Sequence, residues 1–110
     1  MKIKVSDIAS HQLTRIVHYY ASHFSLQAAD NLIDSFEEKM KYLSKYPEAG
    51  HPEPLAVGLI PLYRCIRIAK HINVIYYIDY LEDSIMVSDL WDTRMNPNTL
   101  RARLSKKRKY

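Results

Sequence analysis

The stretch Tyr63–Pro97, YRCIRIAKHINVIYYIDYLEDSIMVSDLWDTRMNP, decides how this chain folds. β-Branched and aromatic residues dominate it, and such side chains fit a pleated, half-buried surface. Two interruptions, Ala69-Lys70 and Leu81-Glu82-Asp83-Ser84, divide it into three runs. Connections that short predict antiparallel neighbours, because a parallel return needs a long crossover. At the far end Pro97 removes a ladder donor, and Asn96 is placed to cap whatever follows. Alternation then assigns faces. Leu62, Arg64, Ile66 and Ile68 share one side of the first run, with Tyr63, Cys65 and Arg67 on the other. In the second, Ile72, Val74, Tyr76 and Ile78 oppose His71, Asn73, Ile75 and Tyr77. In the third, Ile85, Val87, Asp89 and Trp91 oppose Met86, Ser88, Leu90 and Asp92. Each run therefore has one largely apolar face to be covered and one mixed face, carrying Arg67, left for water or a ligand.

Working outward, Lys2-Ile3-Lys4-Val5 alternates as a short strand, and Ser6 or Asp7 caps a helix. Leu13, Ile16, Val17, Tyr20 and Phe24 recur at three- and four-residue steps as its apolar stripe, which His11, Gln12, Arg15 and Ser22 avoid. Ser25 opens a second helix with the stripe Ala29, Leu32, Ile33, Phe36, Met40 and Leu43, stopped by Pro47. The connection at Ser25 is so short that the helices must pack as an antiparallel hairpin. Residues 47–61 hold four of the five prolines and both glycines and read as a loop. Beyond Pro97, Leu100 and Leu104 are spaced for a short helix fraying into a basic tail at about 105–110. The expected fold is α+β: an antiparallel-dominated sheet of about four strands, with the N-terminal two-helix hairpin on one face and a short C-terminal helix. Residues 1–110 form a single domain, since 110 residues leave no room for a second core.

Composition bounds the function. No apolar run approaches the ~18 residues of a membrane span, and MKIKVSD lacks a signal-peptide core, so the expected location is the cytoplasm and no membrane partner is expected. A single cysteine, Cys65, rules out an internal disulfide and reads as a small packed residue. Two glycines are too few for a phosphate-cradling loop. His11, His18 and His23 are not at the i, i+4 spacing that puts two imidazoles on one metal, so neither metal nor other cofactor is expected, nor a small-molecule substrate. Charge is polarised: residues 1–93 hold nine Lys/Arg against all twelve acids, a net −3, whereas residues 94–110 hold seven Lys/Arg and no acid, a net +7. A basic end on a mildly acidic body suits contact with a polyanion or an acidic peptide, or is simply a solvated terminus.

Tyr63-Arg64, His71 with Tyr76-Tyr77, and Trp91-Asp92-x-Arg94-x-Asn96-Pro97, in that order behind two helices, resemble the RelE/ParE superfamily of bacterial toxins from type II toxin–antitoxin (plasmid-stabilisation) systems, from about Ile3 to about Leu104. The resemblance implies the α+β architecture above and a cognate antitoxin as partner. It leaves two activities open. One branch cleaves messenger RNA at the ribosome, which needs a base, an acid and a cation for the charge that develops on phosphorus. His71, Arg67 and Arg94 are the candidates here, with Tyr63 or Tyr77 as stacking surfaces. RNA-cleaving members commonly use a lysine–arginine–tyrosine cluster or a glutamate–arginine–histidine set, often with an aromatic or histidine near the chain end. This sequence offers no such group after Arg94 until Tyr110, and its pre-sheet loop offers only Glu48, His51 and Glu53.

The ParE-like branch poisons DNA gyrase without an evident catalytic constellation, and the missing acid fits it better. Arg67, Arg94, Arg101, Arg103, Lys106, Lys107, Arg108 and Lys109 would then bind a target or nucleic acid. An inactive toxin, or a nucleic-acid-binding module without toxicity, is the third possibility. Plainer roles stand beside these: a structural salt bridge from Arg64 to Asp89, an edge pair of Arg94 with Asp92, and packing for Trp91 and the tyrosines.

Overall fold

The structure is a computed structural model, in which residues 1–106 are described. β1 (Lys2–Val5) turns straight into α1 (Asp7–His23) through Ser6. The Ser6 hydroxyl accepts from the Ala9 N–H at 3.1 Å and caps the helix. After Phe24, the Ser25 hydroxyl caps α2 (Leu26–Lys45) in the same way, accepting from the Ala28 N–H at 2.9 Å. The hairpin expected from the spacing forms, with α1 lying over the strands. The polypeptide then passes through β2 (His51–Pro52), a 3-10 turn (Pro54–Ala56), β3 (Arg64–Ala69), β4 (Ile72–Asp79), β5 (Ser84–Asp92) and α3 (Pro97–Leu104). Asn96 caps α3 through its side chain, with Pro97 at the first helical position. No helix among the described residues is long and apolar enough to cross a membrane.

The sheet has five strands, where about four were expected, in the order β1-β5-β4-β3-β2; three of its pairings are antiparallel and one is parallel, so it is mixed. β1 runs parallel to β5, at the far end of a connection that includes both helices and the three intervening strands. The fifth strand comes from the segment read as loop: His51 and Pro52 pair with Cys65 and Arg64. Two residues of pairing leave no alternation for a sequence to show.

A second difference matters more for the site. Ile75 pairs with Asp89 but Tyr76 with Val87, so Ser88 is an extra residue in β5 and forms a bulge. Its carbonyl accepts from the Ser6 hydroxyl at 2.9 Å, so the α1 cap also satisfies the bulge. The bulge reverses parity. Ile85 and Val87 face the helices, but beyond Ser88 it is Leu90 that does so, while Asp89 and Trp91 face the other way.

Consequently there are two cores. Ile72, Val74, Tyr76, Ile85, Val87 and Leu90 pack beneath the helix pair against Ala9, Leu32 and Leu43. On the opposite face, Tyr63, Cys65, Ile75 and Trp91 are buried by Leu100 and Leu104 of α3 and by Ala56. Each large side chain buried in full stabilises the fold by roughly 1.5–3 kcal/mol, so this second layer is a substantial contributor. The mixed face expected to stay open is thus largely covered by the chain itself, although Arg67 remains exposed.

Arg64 does not reach Asp89. It donates to the carbonyls of Gly50 at 2.6 Å and Glu48 at 3.0 Å. The Tyr76 hydroxyl completes that anchor, accepting from the Gly50 N–H at 3.0 Å and donating to the Pro47 carbonyl at 2.9 Å.

Candidate functional site

On α1, residues 12, 15, 16, 19 and 20 fall on one flank of the helix. Ile16 and Tyr20 also border the core stripe; Gln12, Arg15 and Tyr19 lie on its outer side. This flank faces the first residue of β4, the end of β5 and the elbow that leads into α3. Between them is a half-open cleft of about 300 Å³. Ile72 and Leu90 supply apolar lining, with Met95, Asp92 and Arg94 from the elbow and Arg103 from α3 completing it.

The elbow is held by its own charges. Arg94 Nε and Nη2 donate to Asp92 Oδ1 and Oδ2 at 3.0 and 2.8 Å, and the Arg94 backbone N–H donates to Oδ1 at 2.9 Å. The guanidinium hydrogen bonds hold the Asp92 carboxyl below its usual pKa against the opposing effect of burial, with His71 adding a smaller push the same way. Asp92 in turn raises the pKa of Arg94, and Tyr19 and Tyr20 are close enough across the cleft to add to that. The Arg94 side chain is 58 % exposed, so the pair contributes little stability, about 1 kcal/mol at most. What the fork supplies is a fixed position for a guanidinium at the cleft mouth. Arg15, by contrast, has no ion pair or hydrogen bond among the described residues and is exposed.

Arg103 is committed more deeply. Its Nε and Nη2 donate to Asp89 Oδ2 and Oδ1 at 2.8 and 2.9 Å, and its Cζ lies 5.2 Å from the Trp91 ring centroid. Asp89 has no exposed surface, so this is a buried ion pair. Arg101 Nη1 donates to the carbonyls of Leu55 and Val57 at 3.2 and 2.7 Å and ties α3 to the 3-10 turn. Lys106 is exposed. Lys107, Arg108 and Lys109 lie outside the described residues.

The three candidates for nuclease chemistry do not come together. His71, in the β3–β4 turn, and Arg94 both lie near Asp92, whereas Arg67 pairs across the ladder with Asn73 on the opposite face. On that face a different group assembles: Cys65 Sγ is 3.3 Å from His51 Nε2, the buried Glu53 carboxyl hydrogen-bonds the thiol, and Arg67 is near enough to influence it. Burial, reinforced by Glu53, pushes the Cys65 thiol up to about 12, so it stays protonated and is not a nucleophile. Among the described residues no group of three or more His, Cys, Asp or Glu side chains could hold a metal ion.

Sequence alone places Gln12 and Arg15 off the apolar stripe of the first helix and does not single out Tyr19. The available signal was an aromatic and an arginine at i, i+4 immediately beside the core stripe, a boundary position rather than open surface.

The family model described as "ParE toxin of type II toxin-antitoxin system, parDE" matches residues 3–97. No curated protein matches the chain. The chain belongs to the ParE toxin family, as the resemblance implied.

Proposed function

We propose that this ParE-family toxin acts by binding and poisoning a macromolecular target, DNA gyrase by family resemblance, rather than by catalysis, and that its cognate antitoxin neutralises it. The observation that carries this is the scatter of the chemistry: His71 and Arg94 flank Asp92, Arg67 is on the far face, and Arg94 and Arg103 are already bound to the chain's own carboxylates. Acid–base cleavage needs its groups within reach of one phosphate. Binding does not. The exposed cations Arg67, Arg94, Arg101 and Lys106 supply electrostatic attraction, extended in sequence by Lys107, Arg108 and Lys109.

The antitoxin covers the helix hairpin or the exposed sheet edge with an extended or helical segment. Exposed Tyr19, Phe24 and Leu26 at the hairpin tip support the first alternative. Purified chain added to a gyrase supercoiling assay is expected to inhibit supercoiling and accumulate cleaved DNA. Unaffected supercoiling at excess chain removes gyrase as the target.

The grouping of Glu53, His51 and Arg67 around Cys65 favours one alternative, since RNA-cleaving relatives use a glutamate–arginine–histidine set. That alternative predicts codon-phased cuts in a translation mixture, abolished by Arg67→Ala. Intact message excludes it. Growth untouched by expression without antitoxin points instead to an inactive toxin or a non-toxic binding module.

A further inference from the structure

We propose that the cleft between α1 and the Asp92–Asn96 elbow seats an acidic residue flanked by apolar ones in a partner protein's chain, its carboxylate on Arg15 and Arg94 and its neighbours on the apolar lining. This rests on the reading that a partner protein neutralises the toxin, and it names the chemistry by which that partner is held.

The charges set the class. Three guanidiniums line the cleft, but Arg94 is bound to Asp92 and Arg103 to Asp89, leaving Arg15 as the uncommitted charge. Arg94 Nη1 makes no hydrogen bond among the described residues, so it can donate beside Arg15 without surrendering Asp92. One net positive charge suits one carboxylate. A phosphodiester chain would bring several negative charges to a mouth that already holds the Asp92 carboxylate, and would find no further free cation there.

The apolar lining points the same way. Ile16 and the rings of Tyr19 and Tyr20 offer an apolar body on the ligand something to bury against, over a base closed by the already buried Ile72 and Leu90, and 300 Å³ takes a few side chains. From the cleft the apolar surface continues past the end of α1: Tyr19 is 46 % and Phe24 65 % exposed, with ring centroids 6.1 Å apart edge to face. At the other end Met95 is half exposed. An arginine sharing a cleft with two tyrosines and a methionine, with a phenylalanine packed against those tyrosines, is the composition of a protein–protein contact centre.

The test uses the full chain, labelled with 15N, and two blocked peptides: acetyl-Leu-Glu-Leu-Leu-amide and its Gln counterpart. We expect the Glu peptide to shift the amides of Gln12, Arg15, Tyr19, Arg94 and Met95 with a dissociation constant of about 1 mM. The Gln peptide and the variant Arg15→Ala should each bind about fivefold more weakly, the size of one partly exposed charge pair. Lys41→Ala, on the exposed side of α2, should change nothing. Equal binding of both peptides, shifts elsewhere, no binding, or tighter seating of a hexathymidylate strand in the cleft each overturns the proposal. Co-purification with the antitoxin encoded beside the toxin separates the two claims. If the unaltered chain fails to retain it, the neutralisation reading fails, while the peptide titration still judges the cleft.

Discussion

Truncating Arg103 should destabilise the fold, not merely remove a cation from the basic end. Asp89 has no exposed surface and receives two hydrogen bonds from the Arg103 fork, at 2.8 and 2.9 Å. Removing one partner of a buried pair costs about 3–5 kcal/mol, because the other charge stays desolvated. The Arg103 side chain keeps 19 % exposure, so water can reach part of the gap, which favours the lower end of that range. Loss of the guanidinium from the Trp91 face, at 5.2 Å, adds about 0.5–1 kcal/mol. The expected cost of Arg103→Ala is therefore about 3–4 kcal/mol, or a fall in Tm of at least about 12 °C for a domain of this size. Trp91 is the only tryptophan, lies under Arg103 and reports directly in urea titrations followed by fluorescence. Replacing both partners, Asp89→Leu with Arg103→Leu, should be milder than Arg103→Ala alone, since the buried carboxylate that Arg103 neutralises is removed with it. A cost below about 1 kcal/mol for Arg103→Ala, the range of an ordinary surface change, would refute the reasoning and return Arg103 to the free cations.

Three further outcomes are expected. Gly50→Ala should destabilise by about 1–3 kcal/mol or more in thermal melts, because the added Cβ would sit 2.5 Å from both the Cys65 carbonyl and the Tyr76 hydroxyl; an unchanged Tm would show that this anchor yields freely. Cys65 should resist Ellman's reagent in the native protein at pH 8 and react fully in denaturant; because its folded pKa is raised to about 12, the stability it contributes is intact below the ordinary thiol pKa and is lost as pH climbs from there, so a native thiol titrating near 8–9 contradicts the packing. Asp92, with its folded pKa lowered by Arg94, contributes stability above the ordinary aspartate value of about 3.9 and loses it as pH falls through the lowered one. Carboxyl NMR should see that pKa rise in Arg94→Ala; no movement would mean that the fork does not persist in solution.

Most of the fold was legible because its elements announce themselves locally. The Ser6 and Ser25 caps, the three-and-four stripes of α1 and α2, and the dipeptide turn between β3 and β4 each leave a pattern within a few residues. What escaped was non-local. The pairing of His51 and Pro52 depends on Arg64 and Cys65 already being in place. The Ser88 bulge depends on a hydroxyl 82 residues earlier to satisfy its carbonyl, and no alternation count can anticipate a residue that the ladder skips. That one skipped residue moved Asp89 and Trp91 to the far face, turned the expected Arg64–Asp89 bridge into an Arg103–Asp89 pair, and gave α3 something to pack against.

The same bulge explains why the candidate site could not be read from charge alone. Counted in sequence, the seven cations after residue 93 are equivalent. Folded, they are not: Arg103 neutralises a buried acid, Arg94 is clasped by Asp92, and Arg101 is spent on two carbonyls. Arg15, which stands outside the basic end and off the apolar stripe of α1, is the cleft guanidinium left uncommitted. A partner guided only by long-range attraction would be drawn to the basic terminus, but one that must be held specifically needs a cation that is both available and next to something apolar to bury. Steering and anchoring are thus separated in this chain, and salt should reveal the separation. Weakening of a partner complex by added salt should persist in Arg15→Ala, whose loss falls on dissociation, whereas removing cations after Arg103 should slow association and flatten the salt dependence.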